Sequence, residues 1–142
     1  MKWTLVMASI SLVAGLSAAS AQSDLDALRW KNRILILFAP DQNDPALTQQ
    51  RQRLLSDRTA LSERDLVVLS VAGERVEALY GDPKAQHSAA ALRRHFGFGP
   101  KPGFEAILIG KDGGVKWRSD APFEPKAMNA VIDAMPMRRS QR

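Results

Sequence analysis

Two continuous apolar runs frame the chain, Arg-Ile-Leu-Ile-Leu-Phe-Ala at 33–39 and Leu-Val-Val-Leu-Ser-Val at 66–71. Neither alternates with polar residues, so each predicts a strand covered on both faces. Between them, Asp44-Pro45 offers an N-cap followed by proline at the first helical position, and Leu47, Leu54, Leu55 and Leu61 recur at helical spacing. A helix of about 12–16 residues follows, interrupted at Ser62–Asp65. Strand, helix and strand form a crossover unit, which predicts parallel neighbours joined with right-handed connectivity.

Residues 72–86 are polar and contain Gly81-Asp82-Pro83, which predicts a long loop with at most an irregular strand or turn at 75–80. Unstructured connections beyond about 12 residues are often functional, so this one is a candidate lid or partner-binding loop. Ser88 caps a helix that runs to Phe96 and stops at Gly97, and the segment Gly97–Gly103 is a stiffened link. Phe104–Ile109 and Val115–Ser119 read as antiparallel strands around a turn built on Asp112-Gly113. A last helix over Glu124–Met135 places Met128, Val131, Ile132 and Met135 on one face before Pro136. Upstream, Asp24–Trp30 predicts a short helical turn with Leu25, Leu28 and Trp30 on its apolar side. The expected fold is an α/β, thioredoxin-like one: a four-stranded mixed sheet with helices on both faces.

The first residues have a different character. Lys2 precedes an apolar run over Trp3–Leu16, and Ala19-Ser20-Ala21 fits the small-x-small rule for signal cleavage. That run is shorter than the roughly 18–20 apolar residues that span a bilayer, so residues 1–21 are expected to be a removable signal peptide rather than an anchor. Residues 22–142 would then form one periplasmic or secreted domain without stable membrane insertion. The formal net charge of +5 is concentrated in the turn and strand at Lys111, Lys116 and Arg118 and in Arg138, Arg139 and Arg142. Such a surface suits an acidic envelope protein or a small anionic ligand, or is simply solvated. No nucleic-acid module is present, and nucleic acid is not expected as a partner. The chain has no cysteine, which removes disulfide stabilisation, thiolate nucleophiles and thiol–disulfide exchange.

Several segments together resemble the DUF4174 family: residues 30–40 (Trp-Lys-Asn-Arg-Ile-Leu-Ile-Leu-Phe-Ala-Pro), Glu63-Arg64-Asp65, residues 109–118 (Ile-Gly-Lys-Asp-Gly-Gly-Val-Lys-Trp-Arg) and residues 132–139 (Ile-Asp-Ala-Met-Pro-Met-Arg-Arg). The resemblance spans nearly all of the chain after the signal. It implies an exported domain of unassigned function, similar in fold to thioredoxins and peroxiredoxins. Redox members of those folds carry cysteine after the first strand, where the following helix lowers the thiol pKa. Here Asp41-Gln42-Asn43-Asp44 occupies that place, and Glu105 stands where the fold's cis-proline is expected. Cysteine-based oxidoreductase and peroxidase chemistry is therefore excluded, and the scaffold is open to another use.

The leading candidate site is ligand- or partner-binding and uses Lys111, Asp112, Lys116, Arg118 and Arg138. Lys116 and Arg118 are two apart on a strand and are expected to share a face, while arginine and lysine suit carboxylate or phosphate. The same residues also serve as protection of an edge strand. A rival reading is a cysteine-independent enzyme that uses Asp41, Asp44 or Glu105, although Asp44 is equally explained as a helix cap. A third is an assembly module that adds an edge strand to a partner. Glu63-Arg64-Asp65 is expected to make a local salt bridge. His87 and His95 suggest no third ligand, residues 103–111 lack the phosphate-loop pattern, and no metal or cofactor is expected.

Overall fold

A computed structural model describes residues 25–98 and 103–136. The order of elements is β1 (Arg33–Ala39), α1 (Pro45–Leu55), α2 (Arg58–Glu63), β2 (Leu66–Ala72), β3 (Arg75–Tyr80), α3 (Ala89–His95), β4 (Glu105–Ile109), β5 (Val115–Ser119) and α4 (Pro125–Asp133). Asp44 caps α1 by accepting the Leu47 N–H, as the Asp-Pro pair predicts. The long helix expected downstream is split, because Asp57 accepts the Ala60 N–H and starts α2 as a separate turn. No described helix is long and apolar enough to cross a membrane.

The sheet has five strands in the order β3-β2-β1-β4-β5. β1 and β2 are parallel, with Arg33 opposite Leu66 and Ala39 opposite Ala72. β4 runs antiparallel to β1, β5 to β4, and β3 to β2. The expectation of four strands is thus corrected to five. Six of the fifteen residues anticipated as the 72–86 loop form the hairpin strand β3, whose mixed polar and apolar, partly exposed residues give no continuous apolar run because it lies on the sheet edge.

Alternation along β1 divides the core into two layers. Leu35, Leu37 and Ala39 face Leu47, Leu54, Leu61, Met128 and Ile132, so α1, α2 and α4 cover one side. Ile34, Ile36 and Phe38 face Leu25, Leu28, Ala89, Ala91 and Leu92, so the N-terminal turn and α3 cover the other. Leu25 and Leu28 are buried as the apolar side of that turn predicts, but Trp30 is 64% exposed. Gln50 is fully buried on α1, donating to the Phe123 carbonyl at 3.2 Å and accepting the Phe123 N–H at 2.7 Å. It ties the loop before α4 to the first helix.

Candidate functional site

β1 begins where β4 ends, because the two strands are antiparallel and Ile34 pairs with Ile109. The turn leaving β4 therefore stands beside the segment that enters β1. Its backbone is closed on itself: the Gly110 N–H donates to the Gly114 carbonyl at 2.9 Å and the Gly113 N–H to the Gly110 carbonyl at 3.0 Å. Gly113 holds φ +86°, which glycine adopts without strain. The last turn of α4 reaches the same place through Val131 and Met135. Turn, entry segment and helix enclose a cleft of about 500 Å³. Among the described residues that line it, Arg33, Lys111 and Lys116 are cationic and Asp112 is anionic, and Trp30, Val131, Met135 and Pro136 supply apolar surface.

A polar network shapes this end. The Trp30 N–H donates to the Lys111 carbonyl at 2.6 Å. Lys111, expected in an open turn, is instead buried, and its Nζ donates to Asp65 Oδ2 at 2.8 Å. The Asp65 carbonyl accepts the Arg33 N–H at 2.9 Å and Asn32 Nδ2 at 3.2 Å. Arg33, buried at the start of β1, gives Nη1 to the Arg64 carbonyl at 3.0 Å. Trp30 and Asp65 both hold left-handed backbone, φ +67° and +51°. Non-glycine residues in that region store about 1–3 kcal/mol each and persist where their surroundings fix them; here Trp30 lines the cleft and Asp65 is bonded to Lys111 in its wall.

Asp112 and Lys116 form a second pair at 2.7 Å, partly open to solvent. This bond, and next the Gly114 N–H that donates to Asp112 Oδ1, hold the Asp112 carboxyl below its ordinary value. Lys116 lies close against the turn because Gly110 has no side chain: a Cβ there would stand 2.7 Å from Lys116 Cε.

Lys116 and Arg118 do not share a face. The register shifts from Leu108 opposite Trp117 to Ile109 opposite Val115, which makes Lys116 the additional residue of a β-bulge. Lys116 turns to the cleft, whereas the Arg118 guanidinium lies 6.0 Å from the centre of the Phe98 ring, which packs with the other core layer. Arg138 lies outside the described residues. The structure thus brings Lys111, Asp112 and Lys116 together and separates Arg118 from them. Trp30, Arg33 and Asp65 join the site without a local sequence signal, except that residues entering β1 must meet the β4 turn once the two strands pair. The triplet at 63–65 is also not self-contained. Asp65 reaches Lys111, and Arg64, besides a 4.0 Å contact with Glu63, makes a two-pronged bond to Asp133 through Nε at 3.2 Å and Nη2 at 3.0 Å.

The opposite end of the sheet holds the residues of the rival reading. Asp41 is exposed and accepts the Asn43 N–H at 2.8 Å, Asp44 is committed to its helix cap, and Glu105 is half-buried on β4 opposite Phe38. Among the described residues, no group of three or more His, Cys, Asp or Glu side chains is placed to hold a metal ion.

Fold and site define a mixed α/β domain with a cation-lined, partly apolar cleft at one end of its sheet. The chain belongs to the family described as Domain of unknown function (DUF4174), matched over residues 24–141. It is similar to Coiled-coil domain-containing protein 80 of Danio rerio, 28% identical over 138 residues. The match covers 86% of this chain and 16% of that protein, so the chain spans a small part of the relative's length. No solved structure matches it.

Proposed function

We propose that this protein is an exported, thioredoxin-like binding domain without redox chemistry, and that it takes a small anionic ligand in the cleft between the β4–β5 turn and α4. The observation that carries the reading is the excess of cationic over acidic side chains in a cavity whose remaining walls are apolar. A cavity of about 500 Å³ is within the range of roughly 300–1,000 Å³ typical of small-molecule sites. With β3 set aside as an edge addition, the remaining order β2-β1-β4-β5, one parallel and two antiparallel pairings, supports the thioredoxin-like reading. The composition of residues 1–21 supports export to the periplasm or beyond.

Calorimetric titration with a panel of organic anions, each matched to an uncharged analogue, tests the proposal. At least one anion is expected to bind at unit stoichiometry, and Lys116→Glu to weaken it by about tenfold or more, with no binding of the uncharged partners. Panel-wide silence, or unaltered affinity in the charge-reversed variant, overturns it. Intact mass of the chain from the envelope fraction is expected to place the mature N-terminus at Gln22, and a full-length mass there would remove the export part.

A further inference from the structure

We infer that the ligand is a monocarboxylate with an apolar body, its body laid on Trp30 and its charge taken up by Lys116. This rests on the anion-binding reading above and names the ligand class. Three features narrow the class. First, the cleft walls are an indole, a valine, a thioether and a proline ring, Trp30 with Val131, Met135 and Pro136. Burying a multiply charged or heavily hydroxylated body against them would strip its hydration without replacement.

Second, three backbone donors of the turn are already engaged: the Gly110 and Gly113 N–H groups close the turn, and the Gly114 N–H goes to Asp112. They are not available to cradle a phosphate, which is bound by several converging backbone N–H groups. Third, the two ammonium groups differ. Lys111 is 9% exposed in its pair with Asp65 and Lys116 35% exposed in its pair with Asp112, the two carboxylates being 44% exposed alike. Exposed ion pairs are weak, so an incoming carboxylate exchanges readily onto Lys116 while Lys111 stays fixed as a positioning residue that holds the carbonyl bonded to Trp30.

Titrating the mature chain, residues 22–142, with decanoate, decan-1-ol and inorganic phosphate tests the assignment. Decanoate is expected to bind one to one, decan-1-ol and phosphate each about tenfold or more weakly. Trp30→Ala and Lys116→Met are each expected to weaken decanoate by about tenfold with thermal midpoints near that of the parent, because both side chains reach solvent. Gly110→Ala keeps the charge but displaces Lys116, and is expected to weaken decanoate without affecting the fold. Phosphate binding that depends on Lys116, with decanoate inert, overturns the ligand class and leaves the anion reading standing. Decan-1-ol equal to decanoate, or silence from every anion, overturns both. Concentration-dependent dimerisation lost in Trp30→Ala would put a second copy in the cleft and overturn the assignment.

Discussion

The two ends of the sheet are built differently. Where β1 ends, side chains close the structure: Phe38 meets Phe98 at 4.6 Å and Phe96 at 6.1 Å between ring centres on one layer. On the other layer Gln50 clamps Phe123, whose ring stands edge-on to Trp117 at 4.7 Å. Carboxylates there cap backbone. Where β1 begins, cations, an exposed indole and left-handed residues surround open space. On the thioredoxin-like reading proposed above, redox relatives would place their chemistry at the first of these ends. Here that end packs, and the cleft lies at the other.

If that division holds, substitutions at the packed end change stability and spare binding, and those at the open end do the reverse. Phe38→Ala carries the largest expected effect, a loss of about 3–5 kcal/mol by chemical denaturation. Gln50→Ala follows at about 1–3 kcal/mol, because it leaves a buried Phe123 N–H and carbonyl without partners. Asp44→Ala is expected to cost about 1 kcal/mol through loss of the α1 cap, with ligand titration unchanged. A change in binding there, not accompanied by unfolding, would blur the two ends and revive the carboxylate enzyme.

The smallest effect belongs to Asp112→Asn, which removes an exposed pair worth at most about 1 kcal/mol. Because the folded pKa of Asp112 lies below its ordinary value of 3.8, the pair contributes fully above that value and is lost as pH falls through the depressed one. The stability difference between parent and variant is therefore expected to be constant near neutrality and to vanish in strong acid. A difference that instead grows on acidification would assign Asp112 another partner.

Both buried strands were legible because interior strands need uninterrupted apolar residues, and the β4–β5 hairpin because Asp112-Gly113 suits a tight turn between apolar runs. β3 was legible only as an irregular strand or turn at 75–80 within a loop, since an edge strand satisfies half of its backbone in water and needs no continuous apolar signature. At the site, Lys111, Asp112 and Lys116 were legible as a charged turn. Their surroundings were not: Lys111 and its partner Asp65 lie 46 residues apart, and only the pairing of β1 with both β2 and β4 brings them together. Strand alternation misplaced Arg118 relative to Lys116 because one bulged residue reverses which way each subsequent side chain points. Arg64 likewise looked local and instead fastens α2 to α4.

The backbone at Trp30 has a consequence of its own. A large side chain occupies a conformation that glycine would adopt at ease, and it spends its bulk on water rather than on the core. Trp30→Gly is accordingly expected to make the domain as hard or harder to melt while erasing recognition. An indole held outside the core at a conformational cost is what the proposed binding role would account for.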